Sequence, residues 1–158
     1  MLKLGKLTDY AIVVMTALAA EPDNSQSAHE LARLTHVAEP TVGKVLKLLG
    51  KSGLVSASRG AGGGYRLSRD PAAISIADVV RAMEGPIGLT ECSAHGSDCA
   101  IEPSCGVRGN WRLINTAIQQ ALDSVSLEQM AAPLARMPER ARHEQPLPYP
   151  GGAPQATN

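Results

Sequence analysis

Phenylalanine is missing from this 158-residue chain, and its other aromatics are Trp111 and three tyrosines. Any core it builds must therefore be aliphatic. It also lacks an apolar run of the ~18 residues that a membrane span requires, so no membrane partner is expected. The opening MLKLGKLTDYAIVVMTALAAEP places two lysines ahead of an apolar stretch, as a signal peptide does. However, Thr8 and Asp9 precede the apolar residues and Glu21-Pro22 ends them, which fits an amphipathic first helix in a cytoplasmic protein. Net charge is absent, with 15 basic side chains balancing 15 acidic ones. No hydrolytic triad can be assembled. The glycine run GAGGG lacks the Lys-Ser/Thr of a phosphate-binding loop, so an enzyme is not expected.

The charges present are unevenly spread. Between Thr41 and Arg69 lie six basic residues (Lys44, Lys47, Lys51, Arg59, Arg66, Arg69) and no acidic one, whereas from Pro71 onward six basic face nine acidic. A neutral chain with one acid-free basic block suits a reader of nucleic acid that presents a single face to phosphate.

The length suits one domain with appendages. Leu7–Ala20 reads as a helix. Ser27 and Glu30 form a capping box for a second, ending near Thr35-His36. Glu39-Pro40 opens a third, since proline suits the first helical position and a carboxylate favours the positive end of the dipole. Val42, Val45, Leu46 and Leu49 make its buried stripe at i, i+3, i+4 and i+7. Lys44, Lys47 and Lys51 lie opposite, and Gly53 supplies the C-terminal cap. Strand-like runs Leu54–Ser58 and Tyr65–Ser68 flank a glycine-rich tip, a β-hairpin. Three short helices and a hairpin make a winged helix-turn-helix. The fold class is thus mainly α with a small β-hairpin.

Ser75 and Asp78 offer another N-cap pair for a helix reaching Glu84, stopped by Gly85-Pro86. A long helix from about Gly109 to Ser124 carries Trp111, Ile114, Ile118, Leu122 and Val125 on one stripe, which points to packing on a partner chain. A short turn, Leu127–Ala132, follows. The expected organisation is residues 1–84 as the winged helix-turn-helix, 85–108 as a cysteine-containing loop, and 109–134 as the dimerisation region. Residues 135–158 form a Pro/Gly-rich tail of the composition that stays disordered.

A helix-turn-helix sends the start of its second helix into the major groove. Pro40, Thr41 and Lys44 are accordingly the residues expected at or near base edges, with Lys47 and Lys51 on phosphates. Arg59, at the tip of the hairpin, is the candidate for a narrow minor groove. The neighbouring glycines let the tip follow the groove without side-chain clashes.

Every cysteine lies in ECSAHGSDCAIEPSC, Glu91–Cys105. In a reducing compartment such a cluster is more often metal-binding or redox-active than a disulfide framework. Thiolates bind zinc or iron–sulfur iron. There is no C-x2-C pair, three thiols leave a fourth place open, and His95 stands ready to fill it for zinc. A disulfide switch would leave the third cysteine unexplained.

The wing SRGAGGGYRLS, the helix ISIADVVRAMEG and the C-x6-C-x5-C spacing before a Trp-containing helix resemble one bacterial family. It comprises iron–sulfur transcription regulators typified by IscR and NsrR, and the start LGKLTDYAIVVMTALA resembles its regulators of the Suf cluster-assembly operon. The resemblance covers residues 1 to about 134. It implies a homodimer bound to a double-stranded DNA operator, with one [2Fe–2S] or [4Fe–4S] cluster per subunit, acting as a repressor of cluster-assembly genes. It also implies Cys92, Cys99 and Cys105 as cluster ligands. IscR-like members place a histidine three residues after the last cysteine. Here that position is Arg108, a cation that does not ligate iron. NsrR-like members take an aspartate from the first helix, which is Asp9 here, with Glu91 and His95 as reserves. Pro40, Thr41 and Gly43 depart from IscR, so its operator sequence does not transfer. The alternative within this reading is an NsrR-like nitric oxide sensor; the alternative from a different class is a zinc-stabilised dimeric DNA-binding module without a sensory role.

Overall fold

With phenylalanine absent, the interior is closed by aliphatic side chains. Met15, Leu18, Leu31, Leu46, Leu49, Ile74 and Leu127 are the largest fully buried ones. The computed structural model describes residues 3–90, 93, 100 and 104–132. Among the described residues it is mainly helical with one two-stranded antiparallel sheet.

Helix α1 spans Lys6–Ala20 and buries Thr8, Ala11, Val14, Met15 and Leu18. It starts one residue before the expected Leu7, and its N-cap is Gly5, which has no side chain to offer. Glu84, 79 residues away, closes this end instead: its Oε1 accepts from the Gly5 N–H at 2.7 Å. The same oxygen accepts from the Thr8 hydroxyl at 2.6 Å. A carboxylate there also favours the positive end of the helix dipole.

Helix α2, Ala28–Thr35, begins with the expected capping box between Ser27 and Glu30. The Ser27 N–H, donating to Glu30 at 2.7 Å, is the main reason that the Glu30 carboxyl is held below its ordinary range. The Ser27 hydroxyl adds to the effect. Helix α3, Glu39–Lys51, buries Val42, Val45, Leu46 and Leu49, the stripe expected from periodicity. It ends in a Schellman motif: Gly53 sits at φ +74°, its N–H reaches the Gly50 carbonyl at 3.1 Å, and the Leu54 N–H reaches Leu49 at 3.0 Å.

Strands β1 (Val55–Ser58) and β2 (Gly64–Leu67) pair with Val55 opposite Leu67 and Ser58 opposite Gly64. Tyr65 exchanges backbone hydrogen bonds with Gln26 at 2.8 and 2.9 Å, pinning the hairpin to the segment before α2. That approach is close: a Cβ on Gly64 would come within 2.8 Å of the Gln26 carbonyl oxygen.

Helix α4, Ile76–Glu84, starts with the expected Ser75–Asp78 capping box and ends at Gly85. Helix α5 runs from Arg108 to Asp123 and α6 from Leu127 to Ala131, the latter opened by a further capping box between Ser126 and Gln129. The Ile76 N–H donates to Val125 at 2.9 Å and the Leu127 N–H to Ile74 at 2.8 Å. These bonds return α6 to the body of the domain, where Leu127 joins the same core as α1 and α3. No helix among the described residues is long and apolar enough to cross a membrane.

Candidate DNA interface and cysteine-loop site

Because α3 turns its valines and leucines inward, residues 40, 44, 47 and 51, spaced by four, three and four, share its outer face. Pro40, Lys44, Lys47 and Lys51 are exposed and Thr41 is half-buried. The front of the helix is braced by a contact that sequence reasoning missed. His29 Nδ1 of α2 lies 3.0 Å from Glu39 Oε2, linking the first turns of both helices of the helix-turn-helix.

Arg59 is exposed in the hairpin tip. The tip closes through the Gly63 N–H on Gly60 at 2.9 Å. A Cβ on Gly63 would meet the Ser58 carbonyl oxygen at 2.6 Å, so that glycine is required by the turn itself, in addition to any need of the groove. One member of the basic block points elsewhere. Arg69 donates to Asp78 at 3.3 Å and to the Ala73 carbonyl at 3.4 Å, and so ties the hairpin to α4.

Of the expected cluster ligands, Cys105 is a free, half-buried thiol just before α5, and the Arg108 N–H donates to its carbonyl at 3.4 Å. Asp9 is exposed in the first turn of α1. Cys92 and Cys99, with the reserves Glu91 and His95, lie outside the described residues. Among the described residues no three His, Cys, Asp or Glu side chains gather closely enough to hold a metal.

Helix α5 holds this region by its polar side. Asn115, 5% exposed, accepts from the Leu89 N–H at 3.2 Å and donates to the Ile87 carbonyl at 3.1 Å and the Ser93 carbonyl at 3.5 Å. Gln119 donates to the same Ile87 carbonyl at 2.9 Å. At the far end Asp123 accepts both guanidinium donors of Arg81, at 3.2 and 3.1 Å. Residues 115, 119 and 123 repeat every four, so they form one polar stripe facing the chain's own domain. Of the expected apolar stripe, Trp111 and Ile114 are exposed and Ile118, Leu122 and Val125 half-buried; Leu113, outside that stripe, is exposed as well.

Residues 4–133 match the Rrf2 family of iron-dependent transcriptional regulators. The chain belongs to the Rrf2 family. Its relatives within reach include the HTH-type transcriptional regulator NsrR of Bacillus subtilis, 38% identical over 109 residues, covering 68% of this chain and 75% of NsrR. Protein aau3 of Rhizobium meliloti is 34% identical over 124 residues, 78% of this chain and 76% of aau3. Among solved structures, CymR, the global cysteine regulator of B. subtilis, aligns at a TM-score of 0.66 with 31% identity, over 83% of this chain and 97% of CymR. T. potens IscR aligns at 0.64 with 30% identity, over 87% and 93% respectively. This Rrf2 chain is therefore a DNA-binding winged-helix transcriptional regulator, and the relatives that show it are regulators rather than enzymes.

Proposed function

We propose that this Rrf2 regulator is a homodimeric repressor of iron–sulfur assembly genes of the Suf type that senses cluster status. The observation that carries the reading is α5. It begins three residues after Cys105, grips the start of the cysteine loop with its polar side, and leaves the first turns of its apolar stripe exposed. A helix that faces its own domain with Asn115, Gln119 and Asp123 and leaves Trp111 and Ile114 exposed suits a second copy of the chain.

The donor set fits an iron–sulfur cluster by its chemistry: soft thiolates at Cys92, Cys99 and Cys105, with the Asp9 carboxylate as a weaker hard ligand. When bound, such a cluster supplies a redox- and ligand-sensitive cross-link between the residues that hold it. Asp9 rides on α1, whose buried face packs on α3. Holding or releasing Asp9 therefore biases the helix that carries Pro40, Thr41, Lys44, Lys47 and Lys51 toward or away from DNA, with Arg59 reaching the minor groove. The NsrR relatives and Asp9 itself support a second reading, a nitric oxide sensor built on the same ligands.

The test is absorption and iron/sulfide analysis of anaerobically purified protein, followed by footprinting with and without the cluster. Brown protein whose footprint changes on cluster loss is expected. Colourless protein with stoichiometric zinc would overturn the sensory reading in favour of a zinc-stabilised module. Nitric oxide titration of the loaded protein separates the two sensor readings, because only the second expects release from DNA at stoichiometric nitric oxide.

A further inference from the structure

The amide of Asn115 is the most deeply buried polar group on α5, and each of its protein partners is backbone of the segment that leads into the cysteine loop. Burying an amide is unfavourable unless its hydrogen bonds are made. Here three are made, to residues 87, 89 and 93. The last two bracket position 92 in the chain.

The bracket is reinforced from within. The Ser93 N–H donates to the Thr90 carbonyl at 3.0 Å. The Ser93 hydroxyl donates to that carbonyl at 2.8 Å and accepts from the Thr90 N–H at 3.0 Å. Meanwhile Cys105 is joined to the first turn of α5 through the Arg108 N–H. One helix therefore carries the last cysteine at its head and holds the backbone on both sides of the first. Were burial alone required at position 115, a leucine would fill it, and the loop carbonyls would be left without donors.

We infer that Asn115 is a positioning residue for the cysteine site: its side-chain amide fixes the backbone of Leu89 and Ser93, which flank Cys92 in the chain, onto the helix that follows Cys105, before any cluster binds. The inference rests on the cluster reading for what the site holds, but the preorganisation itself belongs to the apo-protein. Groups that orient metal ligands without touching the metal are worth about 10- to 100-fold in metal retention. That figure sets the expected scale.

The experiment compares wild type with Asn115→Leu and Asn115→Asp. Asn115→Asp keeps an acceptor for the Leu89 N–H but loses both donors and sets a charge against two carbonyls. In apo-protein, the alkylation rate of each cysteine by iodoacetamide is followed by peptide mass spectrometry. In protein loaded anaerobically with ferrous iron and sulfide, loss of visible absorbance to a chelator is timed.

A rise of about tenfold in Cys92 alkylation with Cys105 unchanged, and loss of cluster about tenfold faster, is the expected result. Wild-type rates in both assays overturn the inference. A uniform rise at all three thiols also overturns it, since that marks general loosening rather than positioning. If Asn115→Leu fails to fold, Asn115→Asp decides by the same criteria. Should wild-type protein take up no iron, the proposed function fails, while the apo alkylation rates still decide the role of Asn115.

Discussion

The winged-helix body and α5 solve opposite packing problems with the same alphabet. In the body, α3 faces inward with Val42, Val45, Leu46 and Leu49 and outward with lysines. In α5 the single buried residue is Asn115, while Trp111, Leu113 and Ile114 face out. The hydrophobic effect is indifferent to chain identity, so an inverted helix signals that the missing cover comes from elsewhere. Arg81 and Asp123 show how such a helix is retained: charge-assisted, bidentate bonds fix its orientation without burying apolar surface.

The sharpest way to break this comparison is at the boundary between the two regions. Leu127 follows α5 by four residues, yet it is fully buried in the core shared by α1 and α3. Leu127→Ala should cost about 2–5 kcal/mol of unfolding free energy, as deep leucine truncations do. Urea denaturation reads it. A loss under 1 kcal/mol would mean that α6 is an ornament and that the body ends at α4.

On the other side of the boundary, Ile114→Glu should leave the fold of each subunit intact while separating the proposed dimer. Truncations at the centre of an interface cost about 2–4 kcal/mol of association, and a buried carboxylate exceeds that. Sedimentation velocity at micromolar protein should show a shift from dimer to monomer with an unchanged circular dichroism spectrum. A dimer that survives Ile114→Glu locates the interface off the α5 stripe.

Much of the body was legible in the sequence because its signals are local. The capping boxes of Ser27–Glu30 and Ser75–Asp78 lie three residues apart, and the α3 stripe repeats within one helix. Gly53 announces its cap by being the residue that tolerates φ +74° next to a helix end. What was not legible is long-range. Glu84 caps α1 from 79 residues away, and no pattern near Gly5 hints at it. Arg69 looked like one more cation of the basic block until the fold set Asp78 beside it. Asn115 sits at the border of a stripe drawn in apolar residues, so periodicity passes over it. For the cysteine site, the type and spacing of the residues were legible, whereas the mutual placement of Cys92 and Cys99 lies outside the described residues. The shared exposed face of Pro40, Lys44, Lys47 and Lys51 was legible from their spacing, and the His29–Glu39 brace was not.

A smaller effect sharpens the account of the body. Ser27→Ala should cost about 1 kcal/mol, the usual loss of a capping hydroxyl. It should remove only part of the acid dependence, because the Ser27 backbone N–H remains and is the larger cause of the depressed Glu30 carboxyl. The sign follows from linkage. A carboxyl whose folded pKa lies below its unfolded value of 4.5 contributes stability that is complete above that value and fades as pH falls through the folded pKa. Glu30→Gln should therefore flatten the stability profile below about pH 4.5 relative to wild type. An acid limb unchanged in Glu30→Gln assigns that limb to other carboxylates.

The smallest expected effects are on the DNA face, where exposed side chains act singly. Lys47 lies on the outer face of α3 one to two turns past Pro40 and Thr41, and is the proposed phosphate contact. Neutralising one phosphate contact releases about one counterion fewer, so Lys47→Ala should lower the slope of log affinity against log salt by about one unit, equally for operator and unrelated DNA. Arg59 is exposed in a hairpin tip whose turn admits no side chain at Gly63, and its guanidinium is the proposed minor-groove contact. Arg59→Ala should accordingly weaken operator binding more than binding to unrelated sequence, reducing the ratio between them. The two variants thus separate position from recognition on one surface. If Arg59→Ala lowers both affinities by the same factor, the wing is a second phosphate contact, and sequence is read from α3 alone.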